Sequence, residues 1–221
     1  RPRRRRAPGA LMLEHLPALQ VVLPLVAAPL IVLIRSRAFA WGAAVAASWA
    51  CLAIALGLAW RVAAEGTISY AMGSWPPPWG IEYRVDALNA FVLVLVSLIA
   101  AFVAPYAWRS VAAEIEPDRQ YLLYAMYCLC LAGLLGMAIT GDAFNIFVFL
   151  EIASLSTYVL IALGRDRRAL TAAFTAFLLH DEVSGIQWGI LLSRDLAARS
   201  HDSPTIGAGA WLHSRTRARF A

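Results

Sequence analysis

The chain has 221 residues, of which 61% are hydrophobic and only 15% charged, against roughly a quarter charged in an ordinary soluble domain. That balance excludes a soluble enzyme domain, a disordered chain and a nucleic-acid-binding domain. The formal net charge is +5, yet all 19 basic residues are Arg and no Lys is present, which closes any chemistry that needs an ammonium group.

A membrane-spanning helix needs about 20 mostly apolar residues, and five stretches supply them. Residues 1–11 form a basic leader, Arg1–Leu11, carrying five Arg. Met12 is the expected true start, and the leader the product of upstream sequence. The first span is 13–34, with Pro17, Pro24 and Pro29 inside it; proline is tolerated in membrane helices. Arg35-Ser36-Arg37 is a tight basic turn into the second span, 38–60. Between Glu65 and Asp86, the run Ser74-Trp75-Pro76-Pro77-Pro78-Trp79-Gly80 removes helix. The short alternating runs Thr67–Ala71 and Ile81–Val85 flank it, and their period predicts a small extramembrane hairpin. The third span is 87–108, with Asp86 and Asn89 as interfacial caps at its mouth. Arg109–Gln120 is polar and Pro117 closes a helix there. The fourth span, 121–141, contains Gly133 and Gly136, which permit close helix packing. Asp142 is positioned to cap the fifth span, 143–164. The sequence therefore describes an all-α polytopic membrane helix bundle of about five spans with one short hairpin-like loop.

Cys51, Cys128 and Cys130 lie in apolar runs and read as small hydrophobes. Neither a disulfide framework nor a metal or redox motif is expected from them. Ser48 and Ser97 can bond their own helix backbone. His180, Asp181 and Glu182 are adjacent and point in different directions on a helix, so no metal cluster is expected of them. No cofactor or metal is expected anywhere, and no nucleic acid.

Arginine placement sets the orientation. One membrane side receives Arg35, Arg37, Arg109, Arg119, Arg165, Arg167 and Arg168; the other receives Arg61 and Arg84. The Arg-rich side is expected to be cytoplasmic, which places the start of the first helix outside a bacterial inner membrane.

Glu151 is the expensive residue. It sits near the centre of the fifth span, where a carboxylate costs about 2.5–3.5 kcal/mol on insertion scales. Ser154 and Tyr158 follow at i+3 and i+7 and share its face. Such a polar stripe must meet protein or water rather than lipid. Intramembrane carboxylates mark proton sites or the partners of buried cations; the plainer alternative is a structural hydrogen bond to a neighbouring helix. Glu151 is thus the candidate proton-transfer residue, with Ser154 and Tyr158 as its supporting polar face.

Two segments carry a resemblance. Gly73-Ser74-Trp75-Pro76-Pro77-Pro78-Trp79-Gly80-Ile81-Glu82-Tyr83-Arg84-Val85-Asp86-Ala87-Leu88 resembles the loop before the third helix of the proton-conducting antiporter-like membrane subunits. Gly141-Asp142-Ala143-Phe144-Asn145-Ile146-Phe147-Val148-Phe149-Leu150-Glu151-Ile152 resembles the fifth helix of that family. It includes the D-type component of Mrp-type multisubunit cation/proton antiporters and the antiporter-like subunits of respiratory complex I. The Trp-Pro-Pro-Pro-Trp-Gly-Ile wording is most similar to the D-type Mrp branch. The resemblance spans residues 12–174. It implies a fold of about fourteen helices with two inverted repeats, an outside N-terminus, and a Glu151 paired with a Lys on a later helix. It also implies partner subunits, and protons and a monovalent cation, sodium, as cargo in the lipid bilayer.

After Phe174 the pattern departs. His180-Asp181-Glu182, Arg194-Asp195 and His201-Asp202 argue against a sixth span over 170–192. Residues 175–221 read as a polar tail beyond a frameshift or gene-fragment junction near Thr175. With no Lys, and with Arg unable to release its proton at usable pH, the chain alone is expected to be inactive in translocation. The alternatives are a proton-pumping subunit of a NADH:quinone oxidoreductase or membrane hydrogenase, in which partner proteins would carry the redox centres, and a nonfunctional relic.

Overall fold

The computed structural model describes residues 15–72, 81–164 and 168–180. The chain divides into a unit Arg1–Phe177 and a unit Leu178–Ala221; the bundle lies in the first. Its elements are α1 (Leu16–Ile34), α2 (Arg37–Glu65), β1 (Ile68–Ala71), β2 (Glu82–Val85), α3 (Ala87–Glu114), a 3-10 turn (Pro117–Arg119), α4 (Gln120–Ile139) and α5 (Ala143–Ala162). Five helices are long and apolar enough to cross a membrane, and the chain is a multi-pass membrane protein. Residues 168–180 are also helical, so helix continues through Thr175 to His180. The leader, the Ser74–Gly80 run, Arg165, Arg167 and everything from Asp181 onward lie outside the described residues.

Local chemistry explains the helix ends. Pro17 sits in the first turn of α1, where its missing N–H costs nothing. Arg35 ends α1 in the left-handed region at φ 54°, its N–H bonded to the Ile31 carbonyl. That lets the chain reverse and start α2 two residues later. Helix α2 runs past the expected end at Trp60 to Glu65, because the Arg61–Glu65 pair at 3.1 Å supports one more turn beyond the apolar span. Helix α3 likewise continues to Glu114 and stops before Glu116-Pro117, where the pre-proline residue leaves helical geometry. Asp86 caps α3 by accepting from the Asn89 N–H at 2.8 Å. Asp142 caps α5 by accepting from the Phe144 N–H at 3.2 Å.

The hairpin forms where the alternation indicates. β1 and β2 pair antiparallel, with Ile68 opposite Val85 and Tyr70 opposite Tyr83. Tyr83 and Val85 face the core while Glu82 and Arg84 face outward. Ser69 donates to the Glu82 carboxylate across the ladder.

Two apolar clusters fill the bundle. One, towards the hairpin, holds Val21, Leu58, Tyr83, Val85, Leu93, Leu135 and Ile139. The other, towards the Arg35 turn, holds Ile31, Ala40, Ala44, Val111, Ile115 and Tyr124. The two ends are therefore distinct. At one, His15 meets Tyr70 at 2.8 Å and Tyr83 bridges Thr140. At the other, the Arg37 guanidinium lies 4.1 Å from the Trp108 ring and donates to the Trp108 carbonyl at 3.3 Å. Arg35, Arg37 and Arg119 thus fall at one end, as the sequence order requires.

Candidate functional site

The site begins with how α5 is held. Its start is fixed from β2: the Gly141 N–H donates to the Glu82 carbonyl at 2.9 Å. Asp142 accepts from the Asn145 side-chain amide at 3.1 Å as well as capping the helix. Below that, α5 packs extensively on α4 and on no other labelled element. The seam runs antiparallel: Gly136 meets the Phe149 ring, Gly133 meets Phe149 and Ala153, and Cys130 Sγ lies 3.5 Å from Thr157 Oγ1. Only 17% of the α5 span is buried, against 33 to 50% of the other four.

The polar stripe is on the opposite side. At 3.6 residues per turn, Phe149, Ala153 and Thr157 share one face, and Glu151 points about 160° away from it. Glu151 is half-buried, and the structure brings the three predicted residues together there. The Ser154 and Tyr158 side chains lie within reach of one another, and Glu151 lies within electrostatic range of Tyr158. The Tyr158 ring also packs edge-on against Phe177 at 6.1 Å, in the helical stretch after α5. The stripe therefore faces away from α4, towards that stretch. Ser156 and Thr157 bond their own helix carbonyls, at 2.6 and 2.8 Å, and add no free hydroxyl to it.

A second polar group, inside α1–α4, is not visible from sequence patterning. Gln20 is fully buried and its amide donates to Ser97 Oγ at 3.2 Å. Pro24 explains its backbone: with no N–H at Pro24, the Gln20 carbonyl lacks its i+4 partner, and Cys51 Sγ takes that place at 3.6 Å. Tyr127 OH donates to the Ala100 carbonyl at 2.8 Å and lies 3.4 Å from Ser48 Oγ. Ser48 itself donates to the Ala44 carbonyl at 2.8 Å, as its sequence position suggests. Ser97 does not follow that pattern; it serves Gln20, 77 residues away. The only advance signal was a glutamine four residues before a proline within an apolar span. These groups tie α1, α2, α3 and α4 together and lie off the Glu151 face. Among the described residues, no three His, Cys, Asp or Glu side chains come together as a metal site.

No family model matches the chain. The N-type component of a NADH-quinone oxidoreductase from Desulforudis audaxviator is 42% identical over 171 residues, covering 76% of this chain and 34% of that protein. The archaeal membrane-bound sulfane sulfur reductase structure superposes with a TM-score of 0.70 at 27% identity, over 76% of this chain and 34% of that one. This chain is a homologue of the antiporter-like membrane subunits. Two further relatives sit on the antiporter side of that family. An Alkalihalophilus pseudofirmus protein, named as the D-type component of a Na(+)/H(+) antiporter, is 32% identical over 119 residues, 54% of this chain and 24% of its own length. A Rhizobium meliloti protein, named as the corresponding component of a probable K(+)/H(+) antiporter, is 33% identical over 162 residues, 69% of this chain and 29% of its own length. The Mrp complex from Dietzia has the same fold, at a TM-score of 0.69 and 23% identity over 79% of this chain and 33% of that one. The antiporter-like chain thus spans about a quarter to a third of the length of the relatives it matches.

Proposed function

We propose that this antiporter-like chain contributes a proton-handling carboxylate, Glu151, to a membrane subunit of a multisubunit monovalent cation/proton antiporter. The observation that carries the reading is the placement of Glu151 on the one face of α5 not packed against α4, with Ser154 and Tyr158 beside it. A carboxylate on that face can take and release a proton where another polar surface meets it. The cargo is a proton in one direction and a monovalent cation in the other. Sodium is the proposed cation, and relatives bear names for both Na(+) and K(+) exchange. The partners are the other subunits of such a complex. The Arg-bearing end is cytoplasmic and α1 starts outside, in a bacterial inner membrane.

A second reading has its own support. The 42% identity to a quinone oxidoreductase component favours a proton-pumping role beside redox subunits. In both readings Glu151 does the same chemistry, and what differs is the driving reaction.

Flux separates these readings. Inverted vesicles carrying the assembled complex, with the full-length protein, are tested with a sodium or potassium pulse and with NADH. Cation-driven proton movement supports the antiporter, and NADH-driven acidification supports the oxidoreductase. Glu151→Gln is expected to abolish whichever flux is seen. Unchanged flux in that variant, at normal protein levels, removes Glu151 from the mechanism.

A further inference from the structure

We infer that Gly133 and Gly136 are positioning residues for Glu151: a two-glycine notch in α4 fixes the depth and rotation of α5 and so sets where the carboxylate is presented. The inference rests on the reading of Glu151 as a proton-handling group and adds the device that aims it.

The geometry is specific to these two positions. A Cβ on Gly133 would stand 2.7 Å from the Ala153 nitrogen, 2.8 Å from the Phe149 carbonyl oxygen and 2.9 Å from the Ala153 Cβ. Two of those three obstacles are α5 backbone, which cannot move without moving the helix. A Cβ on Gly136 would enter the Phe149 ring itself, an obstacle that belongs to a side chain. The remaining bundle glycines at Gly42 and Gly57 meet nothing closer than ordinary contact, so the tight approach is not a general property of the bundle.

The notch brackets the carboxylate. Phe149 and Ala153 lie two residues before and two after Glu151, on the face turned towards α4. Cys130 and Thr157 extend the same seam one turn further, at 3.5 Å. Since α5 packs extensively on no other labelled element, nothing on its far side is available within α1–α4 to correct a displacement. Pushing α5 off Gly133 therefore carries Glu151 away from α4, towards the helical stretch after α5, by a comparable distance. A misplacement of about 1 Å can cost a hundred-fold in rate where proton-transfer geometry is demanding.

The two glycines also differ in a testable way. At Gly136 the clash is relieved by shrinking Phe149; at Gly133 no side-chain change relieves it.

The test uses the full-length protein in its assembled complex. Gly133→Ala, Gly136→Ala and the double variant Gly136→Ala/Phe149→Leu are compared in inverted vesicles over a range of pH. Seam geometry is read separately, through disulfide formation between the native Cys130 and an added Thr157→Cys. The expected result is a ten- to hundred-fold loss of flux in Gly133→Ala, with a displaced pH midpoint and slowed cross-linking. Gly136→Ala should show a smaller loss, restored by Phe149→Leu. Gly133→Ala with native flux, pH profile and cross-linking rate overturns the notch. So does slowed cross-linking with a native pH profile, because the seam would then move without moving the site. Native flux in Glu151→Gln in the same vesicles overturns the proton-handling reading instead, and the cross-linking arm still reports the seam.

Discussion

The buried Gln20–Ser97 pair gives opposite signs for two substitutions that each remove the same hydrogen bond. Both side chains are fully buried. The Gln20 amide nitrogen donates to Ser97 at 3.2 Å, while its Oε1 has no hydrogen-bond partner among the described residues. Ser97→Ala leaves the amide N–H stranded as well. Interhelical bonds in membranes are worth about 0.6 kcal/mol on average and up to about 1.7, and a stranded buried donor costs about 1–3 kcal/mol. Ser97→Ala should therefore destabilise by about 1–2 kcal/mol. Gln20→Leu loses the same bond but removes the unpaired carbonyl and keeps nearly the same volume. Ser97 can then bond back to its own helix. The net expectation is a gain of about 1 kcal/mol. In the double variant the Ser97→Ala penalty should vanish, giving a coupling equal to that penalty, about 1–2 kcal/mol. Reversible unfolding of the purified chain in mixed dodecyl sulfate micelles measures all four corners. A loss of more than about 1 kcal/mol in Gln20→Leu would refute the argument, since it would mean that Oε1 is satisfied and that the pair is a net stabiliser.

Three further expectations concern the ends of the bundle. Arg37→Gln should cost about 1–2 kcal/mol in the same assay, through lost contact with the Trp108 ring and carbonyl. Arg37→Lys should recover only part of that, because an ammonium cannot both stack and donate in the guanidinium's fork. Asp142→Ala should cost about 1 kcal/mol by uncapping α5, and Asp142→Asn should recover most of it. Burial, and then the neighbouring Tyr70, push the Tyr83 phenol above its ordinary 10.0. A raised acid is held neutral by the fold, so its stabilising effect is intact below that ordinary value and is lost as pH rises through the raised one. Limited proteolysis of the hairpin should accelerate in that alkaline window, and Tyr83→Phe should flatten the dependence.

Much of the architecture is written in local signals. Apolar length alone marks five spans, because a span must satisfy its own backbone and needs no help from distant residues. The alternation of Ile68–Ala71 and Glu82–Val85 marks the hairpin, and Asp86 and Asp142 mark helix starts for a reason confined to three residues. What stayed hidden was direction. In a soluble helix the polar face reports which side is outside. Here lipid and core are equally apolar, so the composition of α5 does not say which of its faces meets α4. The identity of Glu151, Ser154 and Tyr158 as one stripe was readable from spacing. That the stripe turns away from α4 was not, since it depends on where Gly133 and Gly136 let Phe149 and Ala153 enter. The pairing of Gln20 with Ser97 was hidden for a related reason: it joins residues 77 positions apart, and spacing cannot rank such pairs.

The division of polar groups between the two faces bears on what α1–α4 are for. Their interior polar atoms are mostly bound to backbone or to one another: Ser48 to Ala44, Tyr127 to Ala100, Gln20 to Ser97 and Cys51. Hydroxyls committed in this way fix helix positions but offer no continuous path, because Gln20 does not relay protons as a hydroxyl does. The basic residues of these helices, Arg35, Arg37, Arg61, Arg109 and Arg119, all stand at helix ends rather than at mid-span. A mid-span carboxylate costs about 2.5–3.5 kcal/mol to insert, and none of these charges is at its depth. The compensation for Glu151 must therefore come from the face it turns outward, beyond α1–α4. The bundle is then a frame: β2 and Asp142 hold the start of α5, the glycines of α4 hold its middle, and Glu151 is turned to the side away from α4, where the proposed proton transfer would take place.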